Sequence, residues 1–286
     1  MITHHEASVG KEQAEATAKV DLLLDVLRDM KTPVDKDQML LDLGCGRGFM
    51  VYALRKLGYK AYGADIVPPA PEVNECLLRE GLSRPGEAVF RVIDPTRYMI
   101  PFEEETFDLV FSFDVLEHVK DVSSVLREVW RVLRHGGKSF HSFPSRYRAL
   151  ECHTSVPFGG VCRGYWYLYF WAWIGLRNKD DKGRKAADVA LDNYRFLRSY
   201  TNYLTSEGLR RLVSAHFGSM TYVDDCAWKL SKGIYCQFAR FLSKLKLPGL
   251  VPLMARLLSP FARRAIFFEK SAGASLRHVR SVHRAS

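Results

Sequence analysis

Residues 40–50 read LLDLGCGRGFM. Glycines at 44, 46 and 48 follow a short apolar run, the pattern of a buried strand opening into a loop that a ligand can approach closely. The spacing is G-x-G-x-G, not the G-x-G-x-x-G of a nicotinamide-binding turn, where a helix N-terminus receives a pyrophosphate. Asp42, two residues before Gly44, widens the difference, because its carboxylate repels a pyrophosphate and attracts an ammonium group. Asp65 closes a second apolar run 21 residues beyond Gly44. From that position a carboxylate accepts hydrogen bonds from ribose hydroxyls.

Outward from the loop, strand and helix patterns alternate. Met39–Leu43, Ala61–Asp65, Val89–Ile93, Phe107–Phe113 and Lys138–Phe143 read as strands. Residues 47–57, 71–80 and 122–133 read as helices, the second begun by Pro71 and the third ended by His135-Gly136-Gly137. Ahead of them, Val20, Leu23, Leu24, Val26, Leu27 and Met30 recur at helical spacing within residues 11–30. The alternation predicts right-handed crossovers and a parallel sheet covered on both faces, with ligands outside the carboxyl ends of the strands. From Pro144 to Ser199 the rhythm breaks into a stretch long enough to read as a binding loop or lid. It resumes with a helix at Thr205–Phe217, Thr205 being the N-cap, and strands at Met220–Asp224 and Gly233–Phe241.

A ligand carrying both a ribose and an amino-acid ammonium is S-adenosylmethionine. The chain resembles the class I S-adenosylmethionine-dependent methyltransferases, within their broad small-molecule group. The resemblance rests on LLDLGCGRG (40–48), AYGADI (61–66), VID (92–94), IPFEEETFDLVFSFDVLEHV (100–119), LREVWRVLRHGGK (126–138) and YLTSEGLRRLVSAHF (203–217). It implies a Rossmann-like α/β fold, a mostly parallel seven-stranded sheet with helices on both faces. It also implies that Asp42, Gly44, Cys45 and Gly46 surround the methionine end of the cofactor. Asp65 would then hold the ribose diol and Asp94 bond the adenine amino group, with Ile66 also among the cofactor-binding residues and Asp114 at the cofactor-facing loop just past the fourth strand. The corresponding domain organisation is an N-terminal helical segment (1–34), a methyltransferase domain (35–241) with an insertion at 144–199, and a basic extension (242–286).

Methyl transfer from a sulfonium is an in-line displacement, so the protein must align the acceptor and, for a hydroxyl, accept its proton. His118 and His153 are the candidate bases, with Glu151 able to orient His153. The context of His153, ECHTSVPFGG (151–160), resembles a stretch of bacterial methyltransferases of polysaccharide and natural-product pathways. A saccharide hydroxyl on a small or lipid-linked molecule is the first acceptor reading, and a phenolic or quinone-like ring the second. Glu117-His118 also reads simply as a helix start. The Tyr52/Lys56 pair has the Y-x-x-x-K spacing of short-chain dehydrogenases but lies on the helix after the glycines, too early to meet a substrate carbonyl. No cluster at ligand spacing calls for a metal.

Net charge is +10, yet residues 226–286 hold 12 Lys/Arg against Glu269 alone, so the other 225 residues sum to about −1. The stretch LSKLKLPGLVPLMARLLSPFARRAIFF (242–268) reads as short basic amphipathic helices suited to an anionic membrane surface. Phosphate contact with RNA is the weaker alternative, since no stacking or zinc module accompanies it. Six scattered cysteines without a C-x-x-C pair argue against a disulfide framework. With no signal-peptide pattern and no apolar run near the roughly 18 residues of a membrane span, the expectation is a cytoplasmic protein, peripheral to the membrane at most.

Overall fold

The computed structural model describes residues 3–224 and 257–271. Seven strands form one sheet: β1 (Met39–Leu43), β2 (Lys60–Asp65), β3 (Phe90–Val92), β4 (Phe107–Phe113), β5 (Leu133–Pro144), β6 (Thr221–Tyr222) and β7 (Arg263–Glu269). Their spatial order is β3-β2-β1-β4-β5-β7-β6, parallel from β3 through β5, with β7 antiparallel to both β5 and β6. This is the expected fold.

The helices are α1 (Thr3–Asp29), α2 (Phe49–Lys56), α3 (Pro71–Arg79), α4 (Val122–Val132), α5 (Tyr165–Trp173), α6 (Ala186–Ser199) and α7 (Ser206–Phe217). One face of the sheet buries Leu109, Phe111 and Phe140 against Val20, Leu23 and Leu27 of α1 and Val51 and Leu54 of α2. The other buries Val110 and Ile266 against Leu126 and Val129 of α4 and Val213 and Phe217 of α7. Near-continuous apolar strands follow from burial on both sides. Asp121 caps α4 by accepting from Ser124 N at 3.0 Å, and Thr205 caps α7 by accepting from Gly208 N at 3.0 Å. Each cap satisfies an otherwise unpaired first-turn donor.

The end of the chain departs from the sequence reading. Residues 263–269, expected within a basic amphipathic extension, are the sheet strand β7, so the domain runs past residue 241. Their apolar residues are core: Ala265 and Ile266 are fully buried and Phe268 nearly so. Their arginines face acids of the domain: Arg263 pairs with Asp114, and Arg264 Nε donates to Asp224 at 2.8 Å. Lys270 is buried too, its Nζ donating to Leu133 O at 2.8 Å and lying 4.0 Å from the Trp130 ring centroid. RRAIFF mixes cations with apolar residues, which mimics a surface helix when its partners lie 40 (Asp224) to 149 (Asp114) positions away. The expected strand at 233–241 and the segment 242–256 lie outside the described residues.

The 144–199 stretch contains α5 and α6, packed together through Leu168, Ala190 and Leu197 with Val156 beneath them. It follows β5 directly and covers the carboxyl end of the sheet beside β4. No helix of the described residues is long and apolar enough to cross a membrane.

Candidate active site

β1 delivers Asp42 and then turns at Gly44, whose φ is +77° and whose N–H donates to Ala64 O at 2.7 Å. Gly46 N donates to Asp65 Oδ2 at 2.6 Å, and Val67 N donates to Asp65 Oδ1 at 3.1 Å. Asp65 therefore ties the glycine loop to the end of β2. Asp42 is 3 % exposed; burial first, and then the charge of Asp65, pushes it up to about 7. The charge of Asp65 disfavours ionisation of Asp42, and a cationic ligand beside Asp42 relieves that cost. A Cβ placed on Gly46 would meet nothing within 4 Å, so the loop is open on that side. The thiol of Cys45 is pushed up by burial and then by Asp42. Ile66 is exposed.

Two expected contributors are engaged elsewhere. Asp94 is exposed, and its Oδ1 accepts from Thr96 N at 2.8 Å and Thr96 Oγ1 at 2.6 Å, which lowers its pKa. Asp114, at φ +59°, turns its carboxylate to Arg263 while its N–H donates to Ser142 O at 2.9 Å. Asp114 thus anchors β7 to the end of β4.

After Asp114 a turn of 3-10 helix, Leu116–His118, brings Val115 over Gly44 and aims Glu117 inward. Glu117 is 2 % exposed, and neither carboxylate oxygen has a hydrogen-bond partner among the described residues. Burial, then the charge of Asp114, pushes it up to about 8. An unpaired buried carboxylate costs several kcal/mol in an ordinary core, so its retention points to a ligand-facing role. Glu117 lines a narrow cleft with Leu116, Phe143, Arg146, Tyr203 and Leu209. Arg146 Nε in the same cleft is likewise buried without a partner.

His118 Nδ1 lies 2.8 Å from Tyr200 O. A carbonyl can only accept, so Nδ1 carries a proton, and Nε2, 4.0 Å from Glu117 Oε1, is an acceptor whenever the ring is neutral. The His118 and His153 rings meet edge-on at 4.9 Å. The structure thus brings together all three residues expected at the acceptor side, since Glu151 holds His153 Nδ1 at 2.8 Å.

Glu151 does more than hold His153. Glu151 also accepts from Tyr203 OH at 2.5 Å, His153 N at 2.8 Å, Thr154 N at 2.7 Å and Thr154 Oγ1 at 2.9 Å. Burial acts to raise Glu151, but the His153 and Tyr203 bonds outweigh it and hold the carboxyl at about 2. His153, facing Cys152 Sγ at 3.3 Å and Glu151, is raised to about 10. At neutral pH it is an imidazolium whose Nδ1–H is already committed, so it supplies positive charge and is no free base. Glu151, Cys152 and His153 also have ligand atoms close enough for a metal ion, and the Glu151–His153 bond already occupies two of them.

Glu117 and Tyr203 were not singled out by the sequence. Glu117 had a signal, a carboxylate beside a histidine within the apolar turn DVLEHV after a strand. Tyr203, more than fifty positions from Glu151, had none.

The chain is similar to known proteins. Residues 41–141 match the methyltransferase domain family. A ubiquinone biosynthesis O-methyltransferase of Sinorhizobium fredii is 33% identical over 115 residues, 40% of this chain and 44% of that protein. Norajmaline N-methyltransferase of Rauvolfia serpentina is 29% identical over 132 residues, 46% of this chain and 44% of that protein. A sterol 4-C-methyltransferase of Caenorhabditis elegans is 29% identical over 109 residues, 38% of this chain and 31% of that protein. The matches thus span less than half the length of each of these relatives. Among solved structures, phosphoethanolamine N-methyltransferase 2 of Haemonchus contortus superposes with a TM-score of 0.49 at 18% identity, covering 88% of this chain and 52% of that one.

Proposed function

We propose, starting from residues 41–141 as a class I methyltransferase domain, that the chain transfers a methyl group from S-adenosylmethionine to a hydroxyl of a small or lipid-linked acceptor. The observation that carries the oxygen acceptor is Glu117: a buried carboxylate without a partner, two residues from the side chain that covers Gly44. The cofactor, when bound, supplies an activated methyl group on a sulfonium. Asp42 and Asp65 favour that cation by charge, and Asp65 is also set to receive ribose hydroxyls beside the open face of Gly46.

On the acceptor side, the hydroxyl donates to Glu117, and His118 Nε2 offers a second hydrogen-bond acceptor beside it. As oxygen takes the methyl group, its proton passes to the Glu117 carboxylate. A proton acceptor near pKa 8 is matched to a hydroxyl whose acidity rises only as the new C–O bond forms. The imidazolium of His153 favours ionised Glu117 by charge. A saccharide hydroxyl is the acceptor we favour, and a phenolic or quinone-derived ring is the second reading. The ubiquinone-pathway relative is an O-methyltransferase by name, which supports the second.

The test is mass spectrometry of metabolite and lipid extracts incubated with the protein and S-adenosylmethionine. A product heavier by one methylene, formed at oxygen, is expected; a product methylated only at nitrogen or carbon overturns the oxygen assignment.

Asp65→Ala is expected to weaken S-adenosylmethionine binding by about 1–3 kcal/mol, because ligand hydroxyls and the Gly46 N–H lose one acceptor together. Calorimetric titration checks it, and an unchanged Kd removes Asp65 from the ribose site. The pH–rate profile should be bell-shaped. Turnover needs Glu117 ionised, so it rises as pH passes about 8; it falls near 10 as His153 loses its proton. A profile flat between pH 6 and 9 would contradict the assignment of Glu117.

A further inference from the structure

Helix α5 has the sequence YWYLYFWAW. Leu168 and Ala172 are buried, Leu168 in the α6-facing cluster, so one side of the helix belongs to the lid core. The other side is bare: Trp166 is 77 % exposed, Phe170 50 % and Trp173 66 %. Spacings of four and three residues put these rings within about 60° of arc, a single outward stripe. Just past the helix, Ile174 and Leu176 are exposed as well. Large apolar groups arranged this way are costly in water and mark a contact surface.

The charges around the stripe select the partner. From Arg163 to Lys185 the chain carries six cations (Arg163, Arg177, Lys179, Lys182, Arg184 and Lys185) against Asp180 and Asp181, with Arg184 paired to Asp181 and to Asp192 of α6. Lys179, Lys182 and Lys185 are exposed. Indole rings favour the boundary between hydrocarbon and headgroups, and flanking cations favour anionic headgroups. A nine-residue helix is far too short to span a bilayer but long enough to lie in its surface.

We propose that α5 docks this protein onto an anionic lipid surface, with Trp166, Phe170 and Trp173 entering the headgroup boundary. The helix is tied to the candidate site: Tyr167 OH donates to Pro157 O at 2.7 Å, in the loop that carries Glu151 and His153. Docking would hold the cleft close to an acceptor borne by the membrane. The proposal concerns a surface distinct from the segment 242–256, and it stands whatever the acceptor or the chemistry turns out to be.

The test is co-sedimentation of the full-length protein with vesicles of phosphatidylcholine alone or mixed with phosphatidylglycerol, without cofactor or acceptor. Binding is expected to the anionic vesicles, falling with added salt, with a blue shift of tryptophan emission. The double variant Trp166→Ser/Trp173→Ser should lower the partition coefficient about tenfold or more, since two exposed rings lose their burial. Its melting temperature should match the parent, because both side chains are exposed. Binding that is undiminished in this variant, or absent from both vesicle types, overturns the proposal. So does a stripe that proves to hold two copies together, shown by a dimer that the double variant dissociates. Activity on a soluble acceptor is read separately, so loss of vesicle binding and loss of methyl transfer are distinguishable.

Discussion

Glu117→Gln should cut kcat by about 100- to 10,000-fold, the range supplied by a positioned proton acceptor. The change keeps the shape of the side chain and removes only its capacity to ionise. S-adenosylmethionine affinity should stay within a few-fold of the parent, because Glu117 lies beyond Val115 from the glycine loop. The rise of activity near pH 8 should vanish with the carboxyl group. Stability offers an independent readout. Glu117 in the fold holds its proton up to about pH 8, whereas an unfolded chain releases it near 4.5. The unfolded state is therefore favoured progressively as pH rises from 4.5 through about 8, and stability is lost across that window. The Gln variant lacks this loss, so its melting temperature should exceed the parent's at pH 8 and approach it at pH 5. Near-normal turnover would rule out Glu117 as the proton acceptor, and His118 Nε2 would then be the remaining base beside it.

The cofactor side of this site was more legible in the chain than the acceptor side, for a physical reason. Asp42 and Asp65 lie in two consecutive strands, and Gly44 and Gly46 lie in the loop after the first, so their proximity is encoded in local spacing. That β1 to β5 form a parallel sheet followed from the alternating patterns for the same reason, although their spatial order did not. The acceptor side is assembled across distance. Glu151 meets Tyr203 across 52 positions, and His118 Nδ1 bonds Tyr200 O across 82. The sequence named His153 as a base because a histidine titrates near neutrality, but its contacts with Cys152 and then Glu151 raise its pKa. No local pattern reveals that a neighbouring carboxylate folds back onto the ring. β7 was hidden in the same way: its arginines read as solvent-facing until Asp114 and Asp224 are seen opposite them.

Gly44→Ala tests the loop at its tightest point. At φ +77° an alanine is strained by about 1–2 kcal/mol. Its Cβ would also lie 2.2 Å from Val115 Cγ2, and relieving that overlap in a packed site costs about 1–3 kcal/mol more. Val115 cannot simply move away, since Asp114 before it is held by Arg263 and Leu116 after it is buried. The displacement would reach Glu117 as well, so Gly44→Ala should weaken S-adenosylmethionine binding and lower turnover together. The two contributions separate in the double variant Gly44→Ala/Val115→Ala. Removing the valine methyls eliminates the overlap but leaves the backbone strain, so affinity and melting temperature should recover partly and stop short of the parent. Full recovery would mean that crowding alone made this position glycine, and no recovery that the left-handed turn alone did. Calorimetric titration and thermal unfolding of the three variants, including Val115→Ala alone, distinguish these outcomes.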